Sequence, residues 1–287
     1  MRKKLSLLFA LSLTMMLFLA ACGTSESTGS KSEDKSSDEK KGTFKVGLEA
    51  GYAPFNWSQN DDSNGAVKID GSGEYAGGYD VEIAKKIADG LGKELVIVKT
   101  EWDGLIPALQ SNKIDAVIAG MSPTDKRKKS IYFSDNYYKS DLVMVVKNGG
   151  KYVNAKSIQD FKGAKITAQL NTFHYSVIDQ IKDVEKKPAM DNFPAMRVAL
   201  ESGIIDGYVS ERPEGVSAQA ANKKFKMVEF DKKSKFKTSD DDTAIAVGVK
   251  KDSDLTKKIN EILAGISEDE RMSIMDSAIE NQPAAKN

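Results

Sequence analysis

At 287 residues, with apolar side chains at 40% and charged ones at 29%, the chain reads as a soluble protein long enough for two domains, neither disordered nor membrane-embedded. Lysine plus arginine equals aspartate plus glutamate at 42 each, so no net field draws it onto a phosphate backbone, and nucleic acid is excluded as an expected partner. One cysteine and one histidine exclude an internal disulfide, a cysteine-rich metal site and a His-Glu-x-x-His zinc motif.

Arg2, Lys3 and Lys4 precede an apolar run from Leu5 to Ala21, which reads as the charged and hydrophobic regions of a signal peptide. Cys22 ends the run, and Leu19-Ala20-Ala21-Cys22-Gly23 resembles the lipobox of bacterial lipoproteins. That resemblance implies that residues 1–22 form the signal peptide with its lipobox, and that cleavage leaves a lipidated Cys22 as the first residue. Two acyl chains then anchor the protein stably at the outer face of the bacterial cell membrane. A buried structural cysteine or a retained membrane helix is the competing reading. Residues 23–41 are rich in serine, lysine and acidic residues and have no large apolar side chain, which predicts a disordered tether.

From Thr43 onward, short β-branched runs alternate with helix-period segments, the pattern of parallel strands joined by crossover helices, so the fold class is α/β. Phe44 to Leu48 is the first strand. After a polar Gly/Asp/Asn loop, Asp80 is expected to cap a helix with Ile83, Ala84, Ile87, Ala88 and Leu91 on one face, stopped by Gly92. Leu95 to Val98 is the second strand, Asp103 the cap of a helix that tolerates Pro107 in its first turn, and Ala116 to Ala119 the third strand. Leu142 to Val146, Lys165 to Ala168 and Thr243 to Val249 are further strands. Two helices follow, with faces Leu255, Ile259, Ile262, Leu263 and then Met272, Met275, Ile279.

An internal echo suggests that the architecture occurs twice. Ala108-Leu109-Gln110-Ser111-Asn112-Lys113-Ile114-Asp115-Ala116-Val117-Ile118 is matched by Ala199-Leu200-Glu201-Ser202-Gly203-Ile204-Ile205-Asp206-Gly207-Tyr208-Val209, a helix end, a turn and a strand in each. Chance similarity of helix-turn-strand junctions is the alternative. The expected organisation is lobe one over residues 42–139 and 243–283, and lobe two over residues 140–242. The chain crosses between them twice, giving a two-strand hinge suited to closure around a ligand.

Ligands of open α/β sheets bind beyond the carboxyl ends of the strands. Those ends here carry Glu49 and Tyr52, Trp102, Gly120 with Ser122 and Arg127, Gln169-Leu170-Asn171-Thr172-Phe173-His174 at a helix start, and Ser210-Glu211. An arginine that can grip a carboxylate, helix-start amides and an acid for an ammonium are what a zwitterion needs. Tyr52 and Trp102 would form walls for its side chain. Bland readings remain open beside these. Arg127 sits in the basic run Lys126–Lys129, which could be a solvated face; Tyr52 and Trp102 could be core aromatics; Glu49 could be a structural ion-pair member; and His174 reads as a helix-start residue.

Five segments carry a specific resemblance: Tyr52-Ala53-Pro54-Phe55, Gly77-Gly78-Tyr79-Asp80-Val81, Trp102 to Leu109, Ser122-Pro123-Thr124-Asp125-Lys126-Arg127 and Phe133 to Tyr138. From about Lys41 to Ile279 the chain resembles the substrate-binding receptors of polar amino acid ABC importers, bacterial extracellular solute-binding protein family 3, with the two-lobed type II periplasmic-binding-protein fold. The resemblance implies a free amino acid as ligand, an ABC permease as membrane partner, a monomeric soluble part, and no catalysis, cofactor or metal. It also implies that Arg127 and the Phe173 amide hold the α-carboxylate, while the Gly120 carbonyl, the Ser122 hydroxyl and Glu211 hold the α-amine. Two departures stand out: Asn171-Thr172-Phe173 where the family commonly has a glycine and two hydroxyl residues, and Glu211 in place of its usual aspartate. A secreted dehydratase on the same fold, with Glu211 moving a proton, is the enzyme alternative; no phosphate loop and no Gly-x-Ser-x-Gly elbow occur. Once Arg127 and Glu211 cancel the zwitterion, Glu49 is a surplus negative charge and Trp102 a surface for a guanidinium. The expected ligand is therefore arginine or lysine, with glutamine and cystine as competitors.

Overall fold

The computed structural model describes residues 42–283, so the signal peptide, the Cys22 lipidation site and the tether lie outside the described residues. Phe44, Val46 and Leu48 are fully buried in the strand Thr43–Leu48, which pairs in parallel with Glu94–Lys99 on one side and Ala116–Val117 on the other. Ala244–Val249 and Tyr132–Lys139 complete this five-stranded sheet in antiparallel sense. The second sheet repeats the plan. Glu185–Lys186, Lys165–Thr167 and Gly207–Glu211 run parallel, and Leu142–Lys147 and Phe225–Val228 close it antiparallel. Leu142–Val146 is buried on both faces of its sheet, which explains its unbroken apolar sequence.

The two sheets are the cores of two lobes. The chain passes between them at 140–141 and at 240–243, and the crossings are tied by the Ser140 amide donating to the Thr243 carbonyl at 3.0 Å. The sequence echo is realised in geometry. Asn112 and Gly203, at matched positions, both have left-handed φ, +58° and +82°. Asp115 Oδ2 accepts from the Lys45 amide at 2.8 Å, and Asp206 Oδ2 accepts from the Lys165 amide at 2.8 Å, so each aspartate fixes the turn to the neighbouring strand of its own lobe.

Several local expectations are corrected. The polar stretch after Leu48 contains a small antiparallel sheet of Gly51–Tyr52, Asn56–Gln59, Tyr75–Gly77 and Val67–Lys68, strands too short to show a period. Asp80 does not cap its helix. Tyr79–Gly90 starts from Gly78, and the Asp80 carboxylate is buried, accepting from Asn56 Nδ2 at 2.8 Å and the Tyr137 hydroxyl at 2.7 Å; burial pushes its pKa up to about 6. Asp103 does not cap Leu105–Gln110 either, because a 3₁₀ turn, Trp102–Gly104, intervenes and Gly104 takes the cap position. Ala116 to Ala119 shortens to Ala116–Val117 as a paired strand. Met272 is 49% exposed while Met275 is buried, so only part of the final predicted apolar face packs.

Candidate functional site

The strand ends of the two lobes face each other across one small enclosed space. Its walls are Tyr52, Trp102, Gly120, Ser122 and Arg127 from lobe one and Gln169, Thr172, Phe173 and His174 from lobe two. The fold thus gathers the sequence-nominated residues except Glu49 and Glu211, which stand one layer back. The free volume is about 10 Å³, roughly the room of a single water, so an amino acid enters only when the lobes part. A solvent-open cleft of about 920 Å³ shares Trp102, Arg127, Thr172 and Phe173 with it.

Arg127 lies on the short helix Asp125–Lys128, whose start is capped by the Thr124 hydroxyl. It is no solvated surface residue. Its Nη1 donates to the Ser122 carbonyl at 2.9 Å and its Nη2 to the Asn171 carbonyl of the other lobe at 3.2 Å, while its guanidinium lies 4.9 Å from the Trp102 ring centroid. Burial lowers its pKa to about 10, which leaves it cationic at neutral pH. Trp102 therefore stacks on a cation, but the protein's own. Tyr52 is both core and wall: it stacks on Phe55 at 4.9 Å and on Phe193 of lobe two at 4.3 Å. Gly120 has φ +60°, and a Cβ there would come within 2.6 Å of Tyr52 Cε1, so only glycine lets the backbone reach the site this closely.

In lobe two, Phe173 is the first residue of the helix Phe173–Val177, so its amide has no acceptor within the helix and is available at the site. The Thr172 hydroxyl is occupied, donating to the Gln169 carbonyl at 2.7 Å. Glu211 ends the strand Gly207–Glu211 and is buried. Its Oε2 accepts from the Tyr52 hydroxyl, and its Oε1 lies 2.8 Å from His174 Nε2, an ion-pair distance without hydrogen-bond geometry. Burial alone would raise its pKa, but His174 and Tyr52 outweigh that cost and hold it below the usual carboxylate range. Glu49 is buried too, and Gln169 Nε2 donates to its Oε1 at 3.0 Å across the lobes, while its Oε2 has no hydrogen-bond partner among the described residues. Burial, only partly offset by that neutral amide, pushes its pKa up to about 7.

His174 and Asn171 stand at the site although the sequence reading nominated neither as a ligand residue; His174 is at a helix start, as expected. The Asn171 carbonyl accepts from Arg127 Nη2, and the Asn171 Nδ2 donates to Asp103 Oδ1 at 2.8 Å, a second bond between the lobes. His174 had one signal, adjacency to Phe173, but its partner Glu211 is remote in sequence and meets it only through the fold. Among the described residues, no group of His, Cys, Asp and Glu could hold a metal ion, and no helix is long and apolar enough to cross a membrane.

The profile of bacterial extracellular solute-binding proteins, family 3, matches residues 44–277. The chain belongs to that family. The "Probable histidine-binding protein" of Campylobacter jejuni is 34% identical over 214 residues, 70% of this chain and 75% of that protein. The arginine-binding extracellular protein ArtP of Bacillus subtilis is 27% identical over 263 residues, 87% of this chain and 90% of that protein. Further relatives are named for cystine and for glutamine. The crystal structure of the amino acid ABC transporter substrate-binding protein AbpA from Streptococcus pneumoniae, bound to L-arginine, superimposes with a TM-score of 0.71 at 26% identity, covering 86% of this chain and 97% of that one.

As a family 3 member, the protein is the extracytoplasmic amino-acid-binding component of an ABC transporter and not an enzyme. Its two-lobed α/β fold matches the arginine-binding structures. In this receptor the facing strand ends meet in cross-lobe hydrogen bonds that include Arg127 to Asn171, Asn171 to Asp103, Gln169 to Glu49 and Tyr52 to Glu211.

Proposed function

We propose that this receptor closes its lobes around a free amino acid with a cationic side chain, arginine or lysine, and delivers it to an ABC permease. The carboxylate goes to Arg127 and the Phe173 amide. The ammonium goes to the side of the site formed by the Gly120 carbonyl, the Ser122 hydroxyl and the His174–Glu211 pair. One observation carries the choice of side chain: Glu49 is a buried carboxyl beside Gln169 whose Oε2 has no hydrogen-bond partner among the described residues, and burial raises its pKa to about 7, so a neighbouring cation would favour its ionised form. A ligand side chain within reach would supply that cation. The arginine-binding relatives support the same reading.

A thermal-shift screen of the twenty amino acids and cystine on ligand-stripped protein tests this, because a ligand that binds only the folded state raises Tm by mass action. Arginine and lysine should give the largest shifts. Shifts with glutamine or cystine and none with either cationic amino acid would sink the cationic assignment. We also propose that lipid on Cys22 holds the receptor at the membrane. Cys22→Ser should move the protein to the soluble fraction, and continued membrane retention with normal processing would refute the anchor.

A further inference from the structure

Gly120 lines the central space with a left-handed φ of +60°, and glycine is the residue whose own conformation fixes its peptide least. Something outside the residue must therefore hold it, and lobe one supplies a buried chain of hydrogen bonds. The Gly120 amide donates to the Tyr137 hydroxyl at 3.3 Å, and that hydroxyl donates its one proton to Asp80 Oδ1 at 2.7 Å. Asn56 Nδ2 donates to the other oxygen, Asp80 Oδ2, at 2.8 Å. Asn56, Asp80 and Tyr137 are each fully buried.

The direction of the chain follows from its acid. An ionised carboxylate only accepts, so the Tyr137 proton points at Asp80 and a hydroxyl lone pair is left for the Gly120 amide. Burial raises the Asp80 pKa to about 6, and Tyr137, Asn56 and the Gly120 amide all act against that rise. The next peptide is held independently, because the Met121 carbonyl accepts from the Ala246 amide at 3.1 Å. The Gly120 carbonyl thus stands between two fixed points. Apolar side chains of the same shape would pack the core without desolvating a charge. What the acid and the hydroxyl add is a fixed acceptor for the Gly120 amide.

We infer that Tyr137 and Asp80 are positioning residues for ligand binding, holding the Gly120 peptide in the conformation the site uses, an assignment that rests on the amino-acid reading above. Tyr79 provides a contrast within the same cluster. Its hydroxyl donates at 2.8 Å to the Tyr137 carbonyl, so that bond ends on backbone remote from Gly120 in the chain.

Calorimetry on the full-length chain with L-arginine tests this alongside the Gly120 amide resonance; L-glutamine runs in parallel in case the side-chain assignment is wrong. Tyr137→Phe keeps the ring and removes the acceptor, so affinity should fall about tenfold and the Gly120 amide proton should move upfield. Tyr79→Phe removes a hydroxyl bond from the same cluster, yet it should leave that resonance in place and affinity within about twofold of wild type. A merely structural role predicts that the two variants behave alike. Asp80→Asn keeps an acceptor facing Tyr137, because Asn56 Oδ1, without a partner among the described residues, can turn to meet the new amide. Its affinity should stay within about threefold of wild type, while Asp80→Ala should fall as far as Tyr137→Phe. Affinity like that of wild type in Tyr137→Phe overturns the inference, as does an equal loss in Tyr79→Phe or equal losses in Asp80→Asn and Asp80→Ala. Should Asp80→Ala not fold, the two tyrosine variants decide. If wild type binds neither amino acid, the proposed function itself fails, and the Gly120 resonance alone then decides the positioning: unmoved in Tyr137→Phe, it overturns the inference.

Discussion

Lobe one and lobe two each bury a glutamate beside the ligand space, Glu49 just past Thr43–Leu48 and Glu211 at the end of Gly207–Glu211. Burial raises the pKa of both, yet Glu49 rises to about 7 while Glu211 falls below its ordinary range. The difference lies in the partners. At Glu49 a neutral amide, Gln169, offsets little of the desolvation and the nearby acids Glu101 and Asp103 add to it, whereas at Glu211 the attraction of His174 and the hydrogen bond from Tyr52 outweigh it. Both oxygens of lobe two's acid have a close partner within the protein, whereas Oε2 of lobe one's acid has no hydrogen-bond partner among the described residues.

The largest expected effect comes from removing the cation that bridges the lobes. Arg127→Ala should weaken amino acid binding about a hundredfold or more, because it takes one charge out of a desolvated site and leaves the carboxylate end of the ligand unpaired. Calorimetry on the folded variant checks it. Affinity within a few-fold of wild type would place the site elsewhere and dissolve the comparison.

Next in size is a pair of opposite stability changes. Glu49 has a folded pKa near 7 against an ordinary 4.5, so between those values the folded state holds a proton that the unfolded chain has lost, and stability falls as pH rises through the window. Glu49→Gln should remove that fall and raise stability at pH 8 by at most about 3 kcal/mol, several degrees in Tm. Glu211 has a lowered pKa, so it contributes stability above the ordinary carboxylate value that is lost as pH falls through its folded value. Glu211→Gln should therefore lower Tm at pH 8. Thermal melts at pH 5 and pH 8 read both, and shifts of the same sign would show that the two acids are not held differently. Asp80, also raised to about 6, leaves a residual slope of the Glu49 sign in every variant.

A cationic ligand should bind best when Glu49 is ionised. Arginine affinity should fall by up to about tenfold per pH unit below about 7, the limit for uptake of one proton. In Glu49→Gln that slope should be absent. A wild-type affinity that stays flat from pH 8 to pH 6 would mean that Glu49 does not feel the ligand.

The comparison also shows what a sequence makes legible. Strands such as Leu142–Val146 and Ala244–Val249 were visible because burial on both faces demands an unbroken apolar run. The site residues at strand ends were visible because topology fixes where ligands sit, and eight of the ten nominated residues line one space. What the sequence could not reveal is pairing at a distance. Asp80 and Asp103 each precede a helix and look like caps, but the fold offers Asp80 a buried hydroxyl and amide, and gives Asp103 an asparagine from the other lobe. Likewise, Trp102 reads as a platform for a ligand cation until Arg127 is found against its ring.

The smallest effect tests whether the lobes are equivalent where the sequence repeats. Asp115 and Asp206 are matched in the repeat, and each accepts at 2.8 Å from the amide of a lysine in the adjoining strand of its lobe. Both sit at the entry to a strand, the end away from the ligand. Asp115→Ala and Asp206→Ala should each cost about 1 kcal/mol, the net worth of one such hydrogen bond, with Asp206 the costlier because its bond is part-buried and that of Asp115 is exposed. Urea unfolding of the single variants measures this, and neither change should alter ligand affinity more than about twofold, since additivity holds for sites remote from the ligand. If one substitution proves neutral while the other costs several kcal/mol, the matched turns share a sequence pattern but not a structural role. The two lobes would then be alike in outline only.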